Sequence, residues 1–260
     1  MKDGTELGLG FTHEENITNV FSHIVNSYKD LPLMAYQFQN KLRNETRAKS
    51  GIMRTREFIM KDAYTFCLDI EQHNIVYEKI KNAYIRIFNR LGIGDKTFIT
   101  FASGGVFSKY SHEFQTICDS GEDDIYINIP KNIAINKEVM TDEALNDLGV
   151  KREELEMVKA SEVGNIFDLG TKFSEPLNLK YKNEEGDELP VVMGSYGIGP
   201  ARVMGVITEL LSDDKGIVWP MEIAPYQLHL ISLSKDKNDN VYKKSEEIYN
   251  KLRDNNVEIL

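Results

Sequence analysis

The sequence predicts an α+β chain, on three observations. Two alternating runs between residues 33 and 62 read as an antiparallel hairpin, and an apolar run at 191–193 passes through a glycine-rich turn into a helix. No βαβ unit with a ribose-binding acid follows that turn, and Gly194, Gly197 and Gly199 have the order GxxGxG, so a dinucleotide fold is rejected. At 260 residues the chain can bury a full core, as one large or two modest domains. Its 41% hydrophobic and 28% charged residues carry no signature of disorder, and no apolar run approaches a bilayer span.

The elements follow in order. Thr12 and Glu15 have the spacing of a capping box before the apolar face Val20, Phe21, Ile24, Val25 and Tyr28. From residue 33, Met34, Tyr36, Phe38 and Leu42 alternate with Gln37, Gln39, Lys41, Arg43 and Glu45; after a loop at 46–51, Arg54, Arg56, Phe58, Met60 and Asp62 share one parity. If the two faces coincide, Arg43, Glu45, Arg54 and Phe58 project into one space. They would supply cations for phosphates, an acceptor for an amino group and an aromatic platform, the parts a nucleoside triphosphate requires. Alternating charge also marks a solvated sheet face, so this pattern alone leaves both readings open.

Ile75, Val76, Ile80, Ala83, Tyr84, Ile87, Phe88 and Leu91 trace a helix that Gly92 ends. Short strands are expected near 97–101, 113–118 and 125–129, then a polar, helix-prone stretch at 141–160. A strand pair turning at 184–187 leads into the Gly194 segment. There Pro200 fits the first helical position, and Val203, Met204, Val206, Ile207, Leu210 and Leu211 form the stripe. Arg202 sits at the helix end that favours anions, so it gains nothing from the dipole and is better explained by a ligand.

Composition limits the setting. The opening residues do not resemble a secretory signal, and Cys67 and Cys118 are too few and too separated for a metal framework, so both read as packed thiols in a reduced, cytoplasmic protein. A net charge of −10 argues against broad adhesion to nucleic acid. It leaves room for a local basic groove, for which Lys41, Arg43, Arg47 and Lys49 are the densest cluster. Neither His13 nor His112 is needed as a base.

Phe11 to Glu15, Arg43-Asn44-Glu45, Arg54 to Tyr64, Ser111-His112-Glu113-Phe114, Leu169-Gly170-Thr171-Lys172 and Gly194 to Arg202, in that order, resemble the bacterial-type prolyl-tRNA synthetases, members of the class II aminoacyl-tRNA synthetases. The resemblance covers nearly the whole chain and is weakest at about 129–160. It implies an antiparallel sheet flanked by helices over residues 1–222, with a short insertion at about 129–160, and the start of an α/β anticodon-binding domain over 223–260. It implies ATP, proline and tRNA(Pro) as substrates, Mg2+ as cofactor, and no membrane association.

By the same match, Arg43 and Arg202 are the catalytic cations. Arg43, Glu45, Arg54, Phe58, Glu113, Thr171 and Arg202 hold ATP, with the base between Phe58 and Arg202 and Glu113 as the magnesium ligand. Thr12, Glu14, Arg43, Asp62, His112, Gly194 and Ser195 receive proline. The family is homodimeric, but its dimer-forming first motif is expected before Thr12 and is missing here. Its large editing domain is expected to be missing too, since only about 40 residues separate Asp124 from Gly164. A non-catalytic nucleotide- or tRNA-binding module, or a class II synthetase for another amino acid, are the competing readings.

Overall fold

The alternating runs form the hairpin. In the computed structural model, which describes residues 2–6, 8–46, 48, 50–103 and 110–260, β1 (Leu33–Leu42) pairs antiparallel with β2 (Glu57–Cys67). The register sets Gln37 opposite Asp62, Gln39 opposite Met60 and Lys41 opposite Phe58. Directly opposed residues share a face, so the two polar parities coincide as expected. Lys41 departs from expectation: it is 1% exposed and paired with Asp62 at 2.9 Å, so it belongs to the interior rather than to a basic surface. Arg47 and Lys49 lie outside the described residues.

Five further strands and a long one complete an eight-stranded sheet. They are β3 (Thr97–Ser103), β4 (Tyr110–Ile117), β5 (Asp123–Asn128), β6 (Ile133–Asn136) and β7 (Glu156–Gly170). After the small hairpin β8 (Lys180–Lys182) and β9 (Glu188–Pro190) comes β10 (Val192–Ile198). The sheet order is β1-β2-β10-β7-β4-β3-β6-β5, antiparallel except for the parallel contact of β3 with β6. β5 also pairs with the first residues of β7, closing a circuit β7–β4–β3–β6–β5 around Phe98, Ile125, Ile127, Ala134 and Ala160.

The stretch expected to be helical at 141–160 is so in α3 (Asp142–Asp147), where Thr141 caps the Ala144 N–H at 3.2 Å, and in one 3-10 turn, Arg152–Glu154. From Glu156 onward the chain is strand, because β7 finds partners on both edges, and tertiary pairing overrides a weak helical preference. The insertion thus extends the main sheet.

Helices flank the sheet. α2 (Ile70–Arg90) lies on one face through His73, Ile80, Tyr84 and Phe88, leaving Ile75 outside, and ends at Gly92 in the left-handed region at φ 74°. On the other face α1 (Glu14–Phe21) packs Phe21 on Phe66, with ring centroids 4.3 Å apart. The capping box at Thr12 does not form. His13 is the N-cap and the Thr12 hydroxyl donates instead to the Glu14 carboxylate. α4 (Pro200–Leu210) starts at proline as expected. Cys67 and Cys118 are free and buried.

The described residues divide into two compact units, Met1–Ser212 and Asp213–Leu260. In the second, α5 (Asn240–Asp254) is capped by Asp239, and a parallel bridge joins Leu228 to Ile259. No helix among the described residues is long and apolar enough to cross a membrane.

Candidate active site

A cleft of about 260 Å³ opens on the face of the sheet opposite α2. Arg43, Glu45, Arg54 and Phe58 of the hairpin line it, facing Glu113 of β4, Glu162 of β7 and Arg202 of α4. The structure therefore brings together both arginine-bearing segments and the aromatic ring. The Arg43 guanidinium lies 5.2 Å from the Phe58 ring centroid, and its Nε donates to the Phe11 carbonyl at 3.2 Å. Arg202 donates through Nε to the Met53 carbonyl at 3.0 Å and through Nη1 to the Glu162 carbonyl at 2.8 Å. Arg54 pairs with Glu45 at 2.7 Å and also with Glu122.

Charge in the cleft is concentrated and only partly cancelled. Burial holds Arg43 below the usual guanidinium value, with Arg202 and Arg54 adding to the effect and Glu162 and Glu14 opposing it. A guanidinium remains charged regardless. Across from these cations stands an acidic group. Burial, with the Glu162 carboxylate beside it, pushes Glu113 up to about 8, against hydrogen bonds from Gln115 at 2.9 Å and Asn136 at 3.1 Å. Burial raises Glu162 as well, opposed by Arg202. Gln115 spans the cluster by donating also to Asp123 at 2.8 Å.

A second polar cluster lies on the same face. Glu14, 5% exposed, accepts from Thr12 and, at 3.0 Å, from Ser195 of β10. Asp62 accepts from Tyr64 at 2.5 Å, Gln37 at 2.7 Å and Lys41 at 2.9 Å. The register that sets Ser195 opposite Tyr64, and Gly197 opposite Asp62, aligns these groups. Arg43 feels both Glu14 and Glu162, and so links the two clusters.

Three expected site residues fall elsewhere. His112 is opposite Ile166 and thereby on the α2 face, where its Nδ1 meets the Tyr77 hydroxyl at 2.7 Å; a one-residue change of parity separates it from Glu113. Thr171 stands in the turn after β7 and does not line the cleft. The missing side chain of Gly194 also serves the α2 face: a Cβ there would lie 2.4 Å from the Tyr196 hydroxyl and 2.8 Å from His73.

Sequence reasoning missed Glu122, Asp123, Asn136 and Glu162, which also line the cleft. Glu162 and Asn165 are an acidic and an amide residue on one strand, but their signal was masked by reading the preceding residues as helix.

The chain is 37% identical to the proline–tRNA ligase of Anaplasma marginale (strain St. Maries) over 98% of its own length and 63% of that relative's. It is 38% identical to the proline–tRNA ligase of Rickettsia akari (strain Hartford), over 96% and 61%. It thus spans about three fifths of the length of the relatives it matches. A crystal structure of prolyl-tRNA synthetase from Cryptosporidium parvum, complexed with halofuginone and AMPPNP, superposes with a TM-score of 0.72 at 19% identity, over 99% of this chain and 47% of that one; this is likeness of fold. Residues 1–210, which hold the whole sheet and both polar clusters, match the family model for the class II core domain of tRNA synthetases (G, H, P, S and T), and the chain belongs to that family.

Proposed function

We propose that the chain is the catalytic core of a proline–tRNA ligase, working in the cytoplasm. The observation that carries this reading is the meeting of Arg43, Arg202 and Phe58 in one cleft, with the Glu14 cluster next to it. Phe58 offers a face for adenine and Arg202 the opposite cover, while Arg43 and Arg54 meet the phosphates. Glu45 takes the adenine amino group. The imino group of proline, a cation with two N–H donors, suits Glu14 and Thr12, with Ser195 holding the carboxylate in place.

The reaction needs no protein nucleophile. A carboxylate oxygen of proline attacks the α-phosphorus of ATP, the bond to the β-phosphate breaks, and pyrophosphate leaves. A hydroxyl of the tRNA terminal ribose then attacks the acyl carbon and AMP departs. Arg43 stands between the two clusters, where it can orient the attacking carboxylate and balance charge at phosphorus; Arg202 fixes the nucleotide.

Magnesium fits the donor set of Glu113, Glu162 and Asp123. These are hard oxygen donors, and the buried Gln115 Oε1 beside them is an acceptor without a partner among the described residues. No three acidic, His or Cys side chains among the described residues converge to cage an ion. That suits an ion held by one or two carboxylates and by substrate phosphates. When bound, magnesium would neutralise phosphate charge.

Arg43→Ala should lower proline-dependent ATP–pyrophosphate exchange by about 100-fold or more. An unchanged rate would remove Arg43 from the chemistry. Binding of ATP and proline by the parent chain with no exchange would favour a non-catalytic module, and exchange driven by another amino acid would reassign the substrate.

A further inference from the structure

We infer that Met53 is a positioning residue for Arg202, because its side chain plugs a slot that Gly205 leaves open on α4 and so holds the Met53 carbonyl against the guanidinium. The effect on ATP rests on the reading of the cleft given above; the plug itself does not.

Met53 belongs to the polar connection between β1 and β2, yet it is only 7% exposed while Ile52 beside it is 44% exposed. Its burial has a specific receptor. A Cβ on Gly205 would lie 2.5 Å from Met53 Cγ and 3.4 Å from its sulfur, so the methionine occupies the space any side chain at 205 would need. The Ser120 hydroxyl closes the slot 3.4 Å from the sulfur, and Ser120 is itself tied to α4, its N–H donating to Glu209 at 2.9 Å and its hydroxyl to the same carboxylate.

The plug acts through the backbone. Arg202 lies one turn before Gly205 on the same side of α4, and its Nε donates to the Met53 carbonyl at 3.0 Å while Nη1 donates to the Glu162 carbonyl at 2.8 Å. Two carbonyls from separate segments fix the guanidinium plane. With one removed, the long side chain regains its torsional freedom, and a flat cover over a base is lost. Arg54 follows Met53 directly, so the same anchor sets the second cation, which pairs with Glu45 and Glu122. A side chain that merely filled space would have no such selective effect.

Gly205→Ala should evict Met53 and raise KM for ATP by about 10-fold or more, with KM for proline within about 2-fold. The double variant Met53→Ala/Gly205→Ala relieves the clash but lacks the plug, so its KM for ATP should stay raised by about 3-fold or more over the parent. Equal shifts in both KM values, or a double variant with the parent's KM for ATP, would overturn the inference. The Arg202 Nε–H resonance gives a readout without nucleotide: slowly exchanging in the parent, it should broaden or vanish in Gly205→Ala. A parent chain that binds no ATP would sink the reading of the cleft, whereas a resonance unchanged in Gly205→Ala would sink the plug. If Gly205→Ala does not fold, Met53→Gly is expected to lose the same resonance, and its persistence overturns the inference equally.

Discussion

At the scale of one residue, Glu113 is the group that, on the proposed reading of the cleft, should couple protonation to ligand binding. Its carboxyl is raised by burial and by Glu162 to about 8, so near neutrality it largely keeps its proton in the folded chain. The unfolded chain ionises the same group near its ordinary value of about 4.3. Stability from this residue is therefore complete below that value and is lost as pH rises towards 8. If Glu113 holds magnesium as proposed, the ion would displace this proton, so metal-nucleotide affinity should strengthen from pH 6 to 8 with proton release, measurable by calorimetry in buffers of different ionisation enthalpy. Glu113→Gln should abolish the proton release and flatten the pH dependence; a parent chain that binds magnesium–ATP with no proton uptake or release would contradict the assignment. Residues of this kind are hard to find from sequence. Strand parity placed Phe58 and Arg43 on one face and Arg202 stood at a helix end that favours anions, but the roles proposed for them came from the motif resemblance. Glu162 was not legible, since what distinguishes it is the company of Glu113 and Asp123, residues about 40 to 50 positions away.

At the scale of elements, parity decides what each strand can present. The hairpin was readable because Met34, Tyr36 and Phe38 alternate with Gln37, Gln39 and Lys41, and a polar connection supplies the reversal. β7 was not, because it is half buried on both faces and its first residues, Glu156 to Lys159, mix charged with apolar side chains, so its identity as a strand comes from its neighbours. His112 shows the cost of naming a motif without its register. Placed between Tyr77 and the sheet, it packs against α2 and does not line the cleft. His112→Ala should cost on the order of 1–2 kcal/mol of stability through the lost buried hydrogen bond, lowering the melting temperature, with KM for proline within about 2-fold of the parent. A large rise in KM for proline with an unchanged melt would return His112 to the site.

For the whole molecule, the sheet and every residue lining the cleft fall within Met1–Ser212. That unit carries its own core, so a chain ending at Ser212 should melt cooperatively and bind ATP within about 3-fold of the 260-residue chain, as followed by circular dichroism and calorimetry. Loss of the cooperative transition would show that the unit depends on residues 213–260. Inside the unit, β7 has a double allegiance: Glu156 to Ala160 close the small circuit with β5, and Gly164 to Gly170 join β10. Glu162 and Asn165, which line the cleft, lie between or within those two ends. The cleft and the appended strands consequently hang on one continuous strand, and a fluctuation that peels the insertion away pulls on the backbone that carries the carboxylate opposite Arg202.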